Sequence, residues 1–255
     1  MRVIAITGAS GGIAEQIIKR LPEDDMLVLI GRSQEKLESL YKERLNKRCI
    51  GLDITDDQAV EALCQHLYQE FGKIDILINN AGYAVYKDFE TFSMPEIRDM
   101  FDVNTFASMN FCRLIGGQMK KAKSGHIISI VSMSGYMATS QSSIYSASKF
   151  AMIGYSDTLR LELAPHNVYV TTVNPGPVAT RFFDQADPTG SYLESVKAFT
   201  LEPQVVAEKI IAILGKEKRH LNMPWTLNLA HKCYTLFPRL SDYLAGTVFN
   251  FKDKK

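Results

Sequence analysis

Apolar residues along the chain switch repeatedly between short unbroken runs and longer segments of helical period. The runs Val3–Ile6, Met26–Ile30, Cys49–Leu52, Ile74–Ile78, His126–Val131 and Val168–Val173 are continuous rather than alternating. Strands covered on both faces have this pattern. A last strand is expected near His220–Met223. Between the runs, Ala14–Leu21, Gln34–Leu45, Gln58–Phe71, Pro95–Lys121 and Ser143–Ala164 have the spacing of amphipathic helices. Regular strand–helix alternation predicts an α/β fold, one doubly wound parallel sheet with right-handed crossovers and helices on both faces. Two stretches follow the pattern less tightly. Residues 176–200 contain Pro, Gly, Phe and Tyr without a clear period and read as a long loop or lid. Residues 224–255 form an aromatic-rich extension to the domain spanning 1–223, packed on it or serving an interface.

Composition removes function classes. With 29 Lys+Arg against 28 Asp+Glu in 255 residues, a net charge of +1 supplies no global field to gather nucleic acid or an anionic membrane. No nucleic-acid partner is expected. Cys49, Cys64, Cys112 and Cys233 lie far apart with no CxxC pair. That spacing argues against a zinc site and a secreted disulfide framework, and predicts free, mostly buried thiols. No metal is expected. The apolar start breaks at Thr7-Gly8, too short for a signal peptide. No run approaches the roughly 20 apolar residues that span a bilayer. A cytoplasmic protein is expected.

Directly after the first strand comes Thr7-Gly8-Ala9-Ser10-Gly11-Gly12-Ile13-Ala14, which opens a helix. Small residues there let backbone N–H groups approach a pyrophosphate at a helix N-terminus. Glycines also make plain turns, but their position between strand and helix favours a dinucleotide. The second strand ends in Gly31-Arg32-Ser33, where an NAD site commonly carries an acidic residue for the ribose 2′-hydroxyl. Gly31 leaves room for a 2′-phosphate, Arg32 can pair with it, and Ser33 can donate a further hydrogen bond. The alternative for Arg32 is a solvated cation at a helix start. NADP(H) is the expected cofactor, with NAD(H) as the alternative.

Tyr145 and Lys149 lie four apart near the start of a helix and so share one face. An ammonium beside a phenol lowers its pKa from about 10 toward the working range of a proton donor. The pair alone is equally compatible with a packed ring and a solvated amine. Ser132 adds to it, because it follows the strand His126–Val131, where groups facing a ligand project from a parallel sheet.

Taken together, these residues resemble the classical short-chain dehydrogenase/reductase family, over nearly the whole span from Val3 to about Met223. The family's TGxxxGxG appears as Thr7 to Ala14, with Ala14 in place of the last glycine. Asn79-Asn80-Ala81-Gly82 stands as its NNAG, and Ser132, Tyr145 and Lys149 match its Ser and YxxxK. The resemblance implies a Rossmann-like fold in which Asp53 contacts the adenine and Asn80, Ala81 and Gly82 flank the cofactor. It also implies that Pro175, Gly176, Val178 and Thr180 lie near the nicotinamide, with Thr180 on its carboxamide. Lys149 would bond the nicotinamide ribose and lower the Tyr145 pKa. Asn104 would hold a water in a proton relay. Tyr145 would pass the proton that accompanies hydride transfer, with Ser132 orienting the substrate oxygen.

Met133, Tyr136, Met137, Tyr83, Tyr86, Phe182, Phe183, Tyr192 and Phe199 are candidates for an apolar substrate wall, suited to a hydrophobic carbonyl or alcohol. In the tail, Tyr243, Leu244, Val248 and Phe251 recur at helical spacing before Lys252, Lys254 and Lys255. Such a stripe docks on its own domain or a second subunit, with peripheral membrane contact as the alternative. A homodimer or homotetramer is expected. The competing functions are an NAD-linked alcohol dehydrogenase and a nucleotide-binding regulatory protein without turnover.

Overall fold

The computed structural model describes residues 1–187 and 190–247. Its strands are β1 (Val3–Thr7), β2 (Met26–Gly31), β3 (Lys47–Gly51), β4 (Ile76–Asn79), β5 (Gly125–Ile130), β6 (Val168–Pro175) and β7 (His220–Met223). They form one parallel sheet in the order β3-β2-β1-β4-β5-β6-β7. Every β1 residue is buried, and successive residues feed opposite faces. Ile4 and Ile6 join a cluster with Ile17, Val206 and Ile210, while Val3 and Ala5 join Val60, Leu67 and Phe111 on the other face. Helices therefore cover both sides of the sheet. They are α1 (Gly12–Ile18), α2 (Gln34–Leu40), α3 (Asp57–Phe71), α4 (Met94–Phe101), α5 (Ala107–Phe111), α6 (Gly117–Ala122) and α7 (Ser143–Leu163). Then come α8 (Phe182–Ala186), α9 (Ser191–Ser195), α10 (Pro203–Ile211), α11 (Trp225–Leu236) and α12 (Pro238–Thr247).

The structure differs from the expected boundaries where backbone pairing, rather than hydrophobicity, sets the element. Strand β3 starts at Lys47 because Lys47 pairs with Leu27; as an edge strand it buries no residue fully, and its first residues, Lys47 and Arg48, leave no apolar signature. Helix α2 stops at Leu40, and Tyr41 turns inward to donate its hydroxyl to Ala9 O at 2.5 Å. The segment expected as one helix over Pro95–Lys121 is interrupted by two π turns, Asp102–Phe106 and Cys112–Gly116. At the first, Ala107 N–H reaches back five residues to Asp102 O. A 3.6-residue period averages over such an insertion and does not reveal it.

The expected loop after β6 is compact. Phe183, Ala186 and Val196 are buried, and Leu201 N–H to Pro177 O (2.8 Å) with Ala179 N–H to Leu201 O (2.9 Å) clips its two ends together. Cys64 and Cys112 are buried and Cys49 half-buried, but Cys233 is exposed because α11 buries no residue fully. Among the described residues, no helix is long and apolar enough to cross a membrane. Val248, Phe251, Lys252, Lys254 and Lys255 of the expected tail stripe lie outside the described residues.

The Tyr41 hydroxyl ties α2 to the loop after β1, where a buried carbonyl has no water to replace it. Tyr41→Phe should therefore lower the unfolding free energy by about 1–2 kcal/mol in chemical denaturation. An unchanged midpoint and slope would show that the bond carries no net stability.

Candidate active site

Strand order reverses at β1. Strands β2 and β3 lie to one side and β4 to β7 to the other, so the chain leaves β1 and β4 in diverging directions and opens a crevice at their C-terminal ends. Hydrogen bonds stitch the two exits together. Thr7 Oγ1 accepts from the N–H groups of Asn80 (3.0 Å) and Ala81 (3.1 Å), and Asn80 Nδ2 donates to Thr7 O (3.1 Å) and Gly8 O (2.9 Å). Gly8 turns with φ +61°, and a Cβ there would lie 2.7 Å from Ala81 Cα. At Gly12 a Cβ would lie 2.7 Å from Thr180 Cγ2. Both glycines are demanded by close contact, and they keep the floor of the crevice open.

The crevice continues as one cleft of about 1320 Å³. Gly8, Ser10, Gly11, Gly12, Ile13, Asn80, Ala81, Gly82, Pro175, Gly176, Val178 and Thr180 all line it. Helix α1 begins after Gly11 with no side-chain cap. At the β2 end the lining includes Gly31, Arg32, Asp53 and Lys36. Lys36 was missed in the sequence, although it stands four residues after Arg32 at the start of α2. Ser33 is otherwise employed. Its hydroxyl caps α2 by accepting from Lys36 N–H (3.1 Å) and donates to Glu35 (2.8 Å). Thr55 N–H and hydroxyl both donate to Asp53 Oδ1, and these bonds, with Arg32 nearby, hold its carboxyl below the usual range.

At the opposite end, the expected reactive residues come together. Tyr145 and Lys149 project from the first turns of α7, and Ser132 follows β5; all three line the cleft. Burial pushes the Tyr145 phenol up to about 12, opposed by a hydrogen bond with Ser132 and aided by Tyr192. Burial also pulls the Lys149 ammonium down to about 8. The expected lowering of Tyr145 by Lys149 is absent here. Lys149 Nζ donates to Ile130 O at 3.3 Å and lies 5.7 Å from the Tyr145 ring centroid, while desolvation acts on both groups at once.

Asn104 sits in the first π turn and is buried. Its Nδ2 donates to Tyr83 O (2.9 Å) and Ser148 Oγ (3.1 Å), and its Oδ1 accepts from Tyr83 N–H (2.9 Å). A Cβ at Gly82 would lie 3.1 Å from Asn104 Oδ1 and 3.3 Å from Lys149 Nζ, so Gly82 keeps the space between them clear.

Around Tyr145 the wall is aromatic, with Tyr86 and Phe182 ring centroids at 6.2 and 5.9 Å and Tyr192 packed on Tyr86 at 5.4 Å. Tyr83, Met133, Met137, Phe183 and Phe199 also line the cleft. Tyr136 does not. The short 3₁₀ turn Met133–Gly135 sends Met133 into the cleft and Tyr136 to the other side, where its hydroxyl meets His220 Nδ1 at 3.1 Å and its ring packs on His231 at 4.5 Å. The cleft is completed by residues the sequence reading left out, Leu227, Ala230 and Tyr234 of α11. Their i, i+3, i+7 spacing was the available signal. An amide chain holds this helix to the sheet, Asn174 Nδ2 to Asn222 Oδ1 and Asn222 Nδ2 to Asn228 Oδ1, both 2.7 Å.

Known proteins carry the same architecture. The family model described as short chain dehydrogenase matches residues 2–190. A 3-ketodihydrosphingosine reductase of Bacteroides thetaiotaomicron is 30% identical, covering 98% of this chain and 96% of its own. An uncharacterized oxidoreductase of Staphylococcus aureus is 33% identical over 87% of this chain and 94% of its own. A crystal structure of a short-chain dehydrogenase from Streptomyces avermitilis superposes with a TM-score of 0.78 at 25% identity, covering 95% of this chain and 99% of that one. With the strand reversal, the stitched glycine loop and the Ser132, Tyr145 and Lys149 cluster already in place, the match over most of the chain makes this protein a member of the short-chain dehydrogenase family of oxidoreductases.

Proposed function

We propose that the protein is an NADP(H)-dependent reductase or dehydrogenase acting on a carbonyl or alcohol group of an apolar small molecule. The observation that carries this is one continuous cleft with Arg32 and Lys36 at one end and Ser132, Tyr145 and Lys149 at the other. Its glycine floor fits a dinucleotide, since a Cβ at Gly8 or Gly12 would collide with the opposite wall. Structures of the same fold are described with NADP, 5-hydroxy-NADP and, in one case, NADH bound. The paired cations beside Gly31, with no acidic side chain at 31–33, favour the 2′-phosphate form.

When bound, the nicotinamide supplies or accepts the hydride. The chain's own residues manage the proton and the geometry. Tyr145, with its phenol pushed up to about 12, holds its proton at neutral pH and can deliver it to a carbonyl oxygen. Ser132 bonds that oxygen and restrains it beside the phenol. Lys149 would donate hydrogen bonds to the nicotinamide ribose hydroxyls, and its ammonium form would stabilise the phenolate left on Tyr145. The space kept open by Gly82 between Asn104 Oδ1 and Lys149 Nζ takes a water that returns the proton. In the segment after β6, Phe182, Phe183 and Tyr192 act as a lid that excludes water from the reacting atoms. The aromatic wall suits an apolar ketone, and the Bacteroides relative is named for reduction of 3-ketodihydrosphingosine.

Tyr145→Phe should reduce NADPH-dependent turnover of apolar ketones by about 10²- to 10⁴-fold while retaining nucleotide binding. Equal rates would eliminate Tyr145 as the proton donor. Replacing Arg32 and Lys36 by Ala should weaken NADPH binding by about tenfold or more per lost charged hydrogen bond and leave NADH nearly unchanged. Equal weakening of both nucleotides would refute the phosphate-reading role.

The depressed Lys149 pKa has a consequence for stability. Between pH 8 and 10.5 the folded protein binds fewer protons at this site than the unfolded chain, so the destabilising contribution of Lys149 diminishes as pH rises across that window. Without nucleotide, Lys149→Met should be more stable than wild type at pH 7 by about 1–3 kcal/mol, with the gap closing toward pH 10.5. A difference that does not change with pH would show that Lys149 is not desolvated in this state.

A further inference from the structure

We infer that the outward face of α11 and α12 is a docking surface for an anionic lipid membrane, placed so that the substrate end of the cleft opens beside the bilayer. Helix α11 has two working faces. Leu227, Ala230 and Tyr234 line the cleft, whereas Trp225, Leu229, Lys232 and Leu236 form an exposed stripe at intervals of four, three and four. Phe237 and Leu240 continue the exposed apolar surface into α12. Among the described residues, six of the fifteen exposed large hydrophobics fall between Trp225 and Tyr243, and Trp225 is 74% exposed. Scattered apolar side chains need no partner, but this concentration does.

Charge selects the occupant. Residues 224–255 carry five Lys or Arg and two Asp, a net +3 that the overall charge of +1 conceals. Lys232 and Arg239 lie exposed among the apolar side chains. On the described face Lys232 and Arg239 outnumber Asp242, and a second copy of the chain would bring the same excess of cations to the contact, whereas an anionic headgroup layer neutralises it and accepts the indole and leucine side chains below. Delivery of an amphiphilic ketone to the cleft rests on the reductase reading. The docking itself does not, and can be tested without nucleotide or turnover.

Trp225 is the chain's one tryptophan, so selectively excited tryptophan fluorescence reports on this face alone. Mixed phosphatidylcholine–phosphatidylglycerol vesicles should blue-shift its emission and sediment the protein, brominated acyl chains should quench it, and pure phosphatidylcholine should do much less. High salt should weaken the binding. The Leu229→Glu, Leu236→Glu variant, which keeps the fluorophore and leaves the cleft lining intact, should bind these vesicles at least about tenfold more weakly. Its turnover of a water-soluble ketone should match wild type. Wild-type protein that stays in the supernatant with unshifted emission would overturn the proposal. So would equal vesicle binding by the variant, or a wild-type dimer that the variant dissociates and vesicles do not engage.

Discussion

Thr7 and Asn80 do more than decorate two loops. Four hydrogen bonds between these residues and the neighbouring backbone hold together the strand exits that the sheet order drives apart. The approach is so close that residue 8 can carry no side chain and must turn with positive φ. From this junction the rest of the site is placed. Gly12 meets Thr180 across the crevice, Tyr41 pins Ala9 from behind, and Gly82 leaves clear the space between Asn104 and Lys149. Parallel pairing on either side of β1 then sends Arg32 to one end and Ser132 to the other.

Desolvation governs the chemical end of the cleft. The same burial raises a phenol and lowers an ammonium, because each is taken toward its uncharged form. Tyr145 thereby keeps its proton at neutral pH. Ser132 pulls in the opposite direction by hydrogen bonding, and the aromatic neighbours that raise Tyr145 also keep water away from it. A site tuned by exclusion of water depends on its covers, and here the covers are α8, α9 and α11. This joins α11 to the Tyr145 end of the cleft even though it follows the last strand of the sheet.

Much of this was legible along the chain because it is encoded by local periodicity. Continuous apolar runs marked the inner strands, since strands covered on both faces have no polar side to alternate. The glycine loop stood out because close backbone approach excludes other residues, and Tyr145 and Lys149 because four residues make about one helical turn. Edge strand β3 starts earlier than its apolar run because its first residues, Lys47 and Arg48, are charged and only pairing with β2 defines them as strand.

The sequence by itself determined the doubly wound architecture, the glycine-loop position and the Ser132, Tyr145 and Lys149 set, all properties of spacing within single elements or consecutive ones. Tertiary structure decided which side chains share the cleft. It put Tyr136 against His231 instead of in the aromatic wall of the cleft, spent Ser33 on a helix cap, brought Lys36 into the same cleft as Arg32, and lined the cleft with α11. It also decided that Lys149 meets Ile130 O while burial sets the Tyr145 proton affinity. Periodicity specifies the face on which a residue lies, but what that face meets, and how much water remains there, depends on elements far away in the chain.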